Sequence, residues 1–147
     1  MEAQERHITL TATLPSSLSL LNLDAGRIRQ VLWNLLHNAL KFTSEGGRIV
    51  VRAGLQEDAV YVEVEDTGVG LAVDTQEKIF DKFFQISPGG SKSAQGLGLG
   101  LAICKEIVQA HQGCIRAQSP GLGLGTTISF TLPLPKIDRN LTTSLAA

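Results

Sequence analysis

The order of elements along this chain predicts an α+β fold, in which helices cover one face of a mixed, mostly antiparallel sheet of about five strands. Five short segments alternate apolar and polar residues, as strands do, and two longer segments repeat apolar residues at helical spacing. Four of the strands come in pairs that are separated by polar or glycine-rich turns. Because strands and helices do not alternate strictly, a doubly wound parallel sheet is excluded.

The first half of the chain predicts a strand, a long helix and a hairpin. Residues His7 to Thr13 alternate as a half-buried strand does. Asp24 is the expected N-cap of a helix that runs to about Phe42. Strands from Arg48 to Ala53 and from Val60 to Glu65 flank a polar turn, and we expect them to pair as a hairpin.

The second half predicts a short helix, a loop, a second long helix and two strands. The short helix covers about Thr75 to Phe84. The segment from Ile86 to Gln95 is rich in Ser, Gly and Pro without periodicity, which predicts a mobile loop. Leu99 to His111 carries an apolar stripe at helical spacing. Strands from Cys114 to Gln118 and from Thr126 to Leu132 follow.

Composition and charge limit the classes of function that the chain can have. Its 147 residues fit one domain over residues 1–135 and a flexible tail over residues 136–147. Lys and Arg number 13 against 14 Asp and Glu, so no basic excess indicates nucleic acid as a partner. No apolar run approaches the roughly 20 residues of a membrane span, and no signal peptide is evident. We expect a cytoplasmic domain that is monomeric in isolation and makes no membrane contact, within a parent protein that can be anchored elsewhere.

The first long helix carries a polar stripe. Arg27, Gln30, Asn34, Asn38 and Lys41 recur at spacings of three and four residues, so they lie on one face. Two amides and a lysine can orient a hydrated cation and phosphate oxygens, because magnesium prefers oxygen ligands and keeps several waters. A solvated helix face is the alternative interpretation.

Two glycine-rich segments follow that helix. Asp66 ends an apolar strand before Gly68 and Gly70, where a carboxylate can accept a hydrogen bond from an exocyclic amine and glycines permit close approach. The alternative is an ordinary Asp-Thr-Gly turn. Residues 96–100 precede the second long helix, whose free N–H groups favour phosphate, although a flexible hinge would have the same composition. A Walker-type Gly-Lys-Ser/Thr element is absent from the sequence.

In this order the motifs resemble the ATP-binding catalytic domain of sensor histidine kinases, which shares a superfamily with gyrase B, heat-shock chaperone and mismatch-repair ATPases. The resemblance covers nearly all residues from 7 to 133 and implies the family's two-layer α/β sandwich, the Bergerat-type fold. The matching segments are residues 34–43 for the N box, 66–70, 96–101 and 123–127 for three glycine boxes, and 79–84 for the F box.

The resemblance implies roles for the polar residues. Asn38 would coordinate magnesium, while Asn34 and Lys41 would contact the phosphates and the metal; we expect these three to be the catalytic residues. Asp66 would accept a hydrogen bond from the adenine amine and so select adenine over guanine.

The resemblance also implies roles for the glycine boxes and the loop. Gly68 and Gly70 would shape the base pocket, and Thr126 would support the adenine through water. Lys92 would reach the terminal phosphates from a lid formed by residues 87–95. Backbone N–H groups would bind phosphate from Gly96, Leu97, Gly98, Leu99 and Gly100. Leu97 departs from the family's frequent Thr or Ser, and Gln95 from a frequent glycine.

The resemblance finally implies an activity. The domain would bind ATP and Mg²⁺ and donate the γ-phosphoryl group to a histidine on a dimerisation domain, present in cis or in trans, from which a response regulator would take it. His7 lacks the neighbours of the family's acceptor histidine, so this piece should not phosphorylate itself.

Three other functions remain open at this point. A gyrase-type or chaperone-type ATPase would carry a glutamate at the position of Asn34 as general base, and an amide cannot act as one. An anti-sigma-type serine/threonine kinase uses the same fold on a partner protein. A non-enzymatic, nucleotide-regulated interaction module is the third.

Overall fold

The computed structural model describes residues 2–17, 21–86 and 96–136. In chain order the elements are α1 (Glu2–Glu5), β1 (Thr9–Thr13), α2 (Ala25–Phe42), β2 (Arg48–Gln56), β3 (Ala59–Asp66), the 3₁₀ segments Val73–Thr75 and Lys78–Phe80, α3 (Gly100–Ala110), β4 (Cys114–Gln118) and β5 (Thr126–Pro133). Among the helices within these ranges, none combines the length and apolar character needed to cross a bilayer.

The five strands form one mixed sheet in the order β1-β2-β3-β5-β4. β1 runs parallel to β2, and every other neighbouring pair is antiparallel. The predicted hairpin is confirmed as β2 and β3, with Ile49 opposite Asp66. Asp66 also lies opposite Thr126, so the last residue of β3 is beside the first residue of β5. This register brings two predicted site residues together.

α2 and α3 pack on one face of the sheet, which confirms the predicted α+β sandwich. Each helix presents its apolar stripe to the alternate residues of the strands that point the same way. The buried centre comprises Val31, Leu35 and Ala39 from α2, Cys104, Ile107 and Val108 from α3, and Ile49, Val64, Ile128 and Phe130 from the sheet.

Side chains close both ends of α2. The Asp24 carboxylate accepts a hydrogen bond from the Arg27 N–H at 3.1 Å, as predicted for the N-cap. At the other end the Arg6 guanidinium donates to the carbonyl oxygen of Leu40 at 2.6 Å and to that of Thr43. These bonds satisfy carbonyls that have no partner within the helix and place a positive charge at its negative end.

Two predicted elements differ in the structure. The first strand begins at Thr9 instead of His7, which lies in a turn with φ of 53°, and all five strand residues are exposed. Leu10 keeps 50% of its surface accessible, because among the described strands β1 lies at the edge of the sheet and pairs with β2 alone. The prediction of a short helix from Thr75 to Phe84 was also wrong. Two 3₁₀ segments replace it, since the backbone becomes extended at Asp81.

Some predictions fall outside the described residues. The loop segment 87–95, with Lys92, and the tail beyond residue 136 belong to this group. The polar N-terminal stretch, for which no element was predicted, contains α1, and Ala3 of that helix packs against the core.

Candidate functional site

A cavity of about 450 Å³ opens between α2, the end of β3, the start of β5 and the start of α3. This volume is within the range of about 300–1,000 Å³ that is typical of small-molecule pockets. Polar side chains line it from α2 and the strand ends, namely Asn34, His37, Asn38, Lys41, Asp66 and Thr126. Its apolar walls include Val69, Leu71, Ile79, Phe84 and Ile128, and residues 96–101 form its rim.

The polar stripe of α2 runs between the two glycine segments. The Asn34 amide donates to the carbonyl oxygen of Gly100 at 3.3 Å, which ties this part of α2 to the first turn of α3. At the helix C-terminus, the carbonyl oxygen of Phe42 accepts the Val69 N–H at 3.2 Å. Lys41 follows Asn34 by seven positions, which span roughly 10 Å of helix. The cavity therefore has one end at α3 and another beside Asp66.

Asp66 is a nearly buried carboxylate with 8% of its surface exposed. Its Oδ1 accepts the Gly68 N–H at 2.8 Å, which fixes the carboxylate within its own turn. Burial raises the pKa of Asp66 above its ordinary value of 3.8, and hydrogen bonds from the backbone N–H groups of Gly68 and Thr126 partly oppose the rise. Such a fixed, poorly solvated acceptor can select a ligand that donates a hydrogen bond.

The glycines around Asp66 lie where a side chain has no room. A Cβ on Gly68 would be 2.4 Å from the Phe42 carbonyl oxygen, so this glycine lies behind the cavity, against α2. Gly70, with φ of +67°, lines the cavity itself, and a Cβ there would be 2.1 Å from the Gly121 carbonyl oxygen. A Cβ on Gly125 would likewise be 2.1 Å from the carbonyl oxygen of Asp66. Backbone therefore packs on backbone around the carboxylate.

The second glycine segment forms the opposite end. Gly98 adopts a φ of +69°, and its carbonyl oxygen accepts the Phe83 N–H at 2.9 Å. The Gln85 amide donates to the carbonyl oxygen of Gly96 at 2.6 Å, while Leu97 is 74% exposed. α3 begins at Gly100, and within the part of the chain that the structure describes no side chain caps this end. Its first N–H groups lie at the positive end of the helix dipole, which attracts anions.

The structure brings most of the predicted site residues to one cavity. Asn34, Asn38, Lys41, Asp66, Gly70, residues 96–100 and Thr126 all line it. Gly68 supports Asp66 from behind, and Lys92 is outside the described residues. The roles of these residues in ligand binding remain predictions.

Sequence reasoning missed the apolar wall and His37. Val69 lies between two glycines of the 66–70 segment, Leu71 begins a short apolar run, and Ile128 lies on an alternating strand. None of these contexts distinguishes a pocket wall from ordinary core. His37 lines the cavity one helical turn from both Asn34 and Lys41, and this spacing was the only available signal.

The donor set fits a cation that is held largely by a ligand's own oxygens. Within residues 2–17, 21–86 and 96–136, no group of three or more His, Cys, Asp or Glu side chains could bind a metal alone. Asn38 offers an amide oxygen, which is a hard donor of the kind that magnesium takes alongside waters and phosphates.

Comparison with known proteins identifies the family. The family model described as "Histidine kinase-, DNA gyrase B-, and HSP90-like ATPase" matches residues 23–136. Sensor histidine kinase WalK of Bacillus subtilis is 41% identical over 132 residues, which are 88% of this chain and 21% of that protein. The non-motile and phage-resistance protein of Caulobacter vibrioides is 40% identical over 84% of this chain and 15% of its own length. The chain thus spans about a fifth or less of these two relatives.

Solved structures of sensor histidine kinases are similar to this chain. Full-length ShkA in complex with AMPPNP superimposes with a TM-score of 0.79 at 34% identity, over 92% of this chain and 27% of ShkA. The catalytic domain of histidine kinase ThkA superimposes with a TM-score of 0.77 at 29% identity, over 90% of this chain and 84% of that domain. This chain belongs to the histidine kinase-, DNA gyrase B- and HSP90-like ATPase family, and within it resembles the catalytic domains of sensor histidine kinases.

Proposed function

We propose that this domain binds ATP together with Mg²⁺ and donates the γ-phosphoryl group to a histidine on a dimerisation domain. One observation carries the proposal: a fixed, nearly buried carboxylate and a helix stripe of two amides and a lysine share one cavity. An adenine nucleotide needs both environments, the carboxylate for its base and the polar stripe for its phosphates and metal. The complex of full-length ShkA with AMPPNP, a structural relative, supports the same class of ligand.

The end at Asp66 would hold the base. Its carboxylate would accept a hydrogen bond from the exocyclic amine of adenine, while guanine presents a carbonyl at the corresponding position and would leave two acceptors facing each other. Val69, Leu71 and Ile128 supply apolar surface for a flat ring, and Gly70 leaves room for it. Thr126, at the start of β5, would support the base through a water molecule.

The end at α3 would hold the phosphates. Backbone N–H groups from residues 96–100 and the positive end of the α3 dipole favour negative charge. Asn38 would give Mg²⁺ an amide oxygen, and Asn34 and Lys41 would contact phosphate oxygens around it. Bound magnesium supplies charge neutralisation during phosphoryl transfer, in which the protein's part is mainly positioning.

Hydrolysis of ATP by this site would be slow. The Asn34 amide donates to the Gly100 carbonyl oxygen, and an amide has no pKa that would let it activate water. A phosphoryl acceptor must therefore come from elsewhere. In a related crystal structure, histidine kinase ThkA forms a complex with the response regulator TrrA. We propose a response regulator as a partner here too, which would take the phosphoryl group from the dimerisation histidine.

A phosphotransfer assay tests the proposal. The purified chain, magnesium and radiolabelled ATP are mixed with a separately purified dimerisation domain that carries the acceptor histidine of the same natural protein. We expect label on that domain that is acid-labile and base-stable, no label on this chain alone, and loss of transfer in Asn38→Ala. Acid-stable label on serine of a partner would instead support the anti-sigma type of kinase. Absence of transfer and of ATP binding would overturn the proposal.

A further inference from the structure

Ser119 lies in the turn between β4 and β5, outside the cavity lining. Its hydroxyl group joins this turn to the backbone that follows Asp66. We call residues 119–125 the β4–β5 turn and residues 66–71 the Asp66 segment. The Ser119 Oγ accepts the Leu71 N–H at 2.9 Å and the Gly121 N–H at 3.2 Å. It donates to the Gly125 carbonyl oxygen at 2.6 Å.

This set of bonds uses the full capacity of a hydroxyl group. A serine side chain has one O–H to donate and two lone pairs that accept. The Gly121 carbonyl oxygen, at 3.1 Å, is a longer alternative acceptor. The Ser119 carbonyl oxygen also accepts from the Gln76 side-chain amide at 3.0 Å, so the 3₁₀ region is attached to the same residue.

Local turn formation does not account for this arrangement. A serine that only stabilises its own turn bonds to backbone one or two residues on, as Ser119 does with Gly121. The bond to Leu71, by contrast, crosses 48 residues of sequence. It is also the bond that reaches the cavity, because Leu71 is 4% exposed and lines the wall.

The remaining contacts between the two segments are backbone bonds that depend on their relative position. The Gly123 N–H donates to the Val69 carbonyl oxygen at 2.7 Å, and the Gly125 N–H donates to that of Gly68 at 3.2 Å. Gly70 packs on the Gly121 carbonyl group. Ser119 fixes the β4–β5 turn against the Asp66 segment through its bond to Leu71. Its bond to the Gly125 carbonyl oxygen holds the end of the turn that packs on Asp66.

We infer that Ser119 is a positioning residue for base recognition: it holds Leu71 and Gly125 so that the Asp66 carboxylate keeps the geometry that distinguishes adenine from guanine. The inference rests on the proposed nucleotide function. Ser119 itself touches no reacting group, and it acts through the two backbone segments that it joins.

The test compares ATP and GTP binding by calorimetry in the unmodified chain, Ser119→Ala, Ser119→Thr and the control Ser129→Ala. Ser129 lies on β5 and outside the lining of the cavity. Loss of the hydroxyl should weaken ATP binding about tenfold and reduce the preference for ATP over GTP, since it removes hydrogen bonds at both segments. Ser119→Thr should restore the preference, and Ser129→Ala should leave it unchanged. A merely structural role would lower the folded fraction but not the ATP-to-GTP ratio.

Hydrogen exchange keeps the inference testable if Ser119→Ala does not fold. In the unmodified chain the Leu71 amide should exchange slowly, because its N–H is held by Ser119, and in Ser119→Cys, a weaker partner, it should exchange faster. An unchanged ATP-to-GTP ratio in folded Ser119→Ala, or a Leu71 amide that exchanges freely in the unmodified chain, overturns the inference. Failure of the unmodified chain to bind ATP overturns the proposed function, and the role in base recognition fails with it.

Discussion

Replacing Gly125 with alanine tests the close backbone packing that surrounds Asp66. A Cβ at this position would lie 2.1 Å from the Asp66 carbonyl oxygen, and the obstacle is backbone that cannot rotate away. Gly123 is a matched control, because its φ of +77° is close to the +79° of Gly125 and no atom of the described residues lies within 4 Å of its Cβ position. The two variants share the cost of a left-handed backbone and differ in the clash.

The expected losses of stability follow from the backbone strain and the clash. A non-glycine residue in the left-handed region costs about 1–2 kcal/mol, which we expect for Gly123→Ala. Overpacking adds about 1–3 kcal/mol for Gly125→Ala. With a urea m-value of about 2 kcal/mol per molar, an additional 2 kcal/mol separates the two unfolding midpoints by roughly 1 M.

Urea unfolding followed by circular dichroism measures both midpoints, and calorimetry with ATP reports the effect on the site. Gly125→Ala should unfold at the lower urea concentration and bind ATP more weakly, because the added methyl group displaces Asp66. Equal midpoints for Gly123→Ala and Gly125→Ala would refute the reasoning, since they would mean that the close approach to Asp66 costs nothing.

Three further predictions concern the end of α2, the thiols and Asp66. Arg6→Ala should lower the free energy of unfolding by about 1–3 kcal/mol through the loss of its bonds to the last carbonyls of α2, whereas the exposed Arg29→Ala should change it by less than about 0.5 kcal/mol. Cys114 is exposed and should react with a thiol reagent in the folded state. Burial raises the pKa of the Cys104 thiol to about 11, so Cys104 should react only on unfolding. Because burial raises the pKa of Asp66, the unfolded chain releases this proton first as pH rises above 3.8, and stability falls through that window. Asparagine does not titrate, so the Asp66→Asn variant lacks this pH-dependent loss of stability. Its free energy of unfolding should therefore rise relative to that of the unmodified chain from about pH 4 upward.

Urea titrations at several pH values and mass spectrometry of labelled protein provide the measurements. Equal losses for Arg6→Ala and Arg29→Ala would show that the guanidinium does not close α2 in solution. Labelling of both thiols at one rate would contradict the burial of Cys104. A stability difference between Asp66→Asn and the unmodified chain that is constant with pH would contradict a raised pKa.

Long periodic segments made most of the fold predictable. The helix after Asp24 and the hairpin before Asp66 have clear periods of 3.6 and 2 residues, and both appear as expected. Strand β1 has an equally clear alternation, yet all of it is exposed, because burial depends on which strands flank it in the sheet and not on its own pattern. The helix expected from Thr75 to Phe84 is interrupted where the backbone becomes extended at Asp81. Beyond that point the Phe83 N–H donates to the distant Gly98 carbonyl oxygen, a tertiary bond that the local pattern does not indicate.

The candidate site was predictable where glycines and polar residues form motifs. Asp66 and Asn38 have sequence contexts that indicate a nucleotide, and the structure places both at one cavity. Ser119 had no such signal, since a serine beside a proline and a glycine indicates an ordinary turn. Its hydrogen bond to Leu71 depends on the β3–β5 register, which is a property of the folded sheet.

The most direct test of the central claim is isothermal titration of ATP and GTP into the purified chain and into Asp66→Asn, each with and without magnesium. Recognition of adenine by a fixed carboxylate predicts binding of ATP but not of GTP, a contribution from magnesium, and loss of most of the ATP affinity in a folded Asp66→Asn. Equal binding of ATP and GTP, or ATP binding that is unchanged in Asp66→Asn, would contradict the claim that Asp66 reads the base.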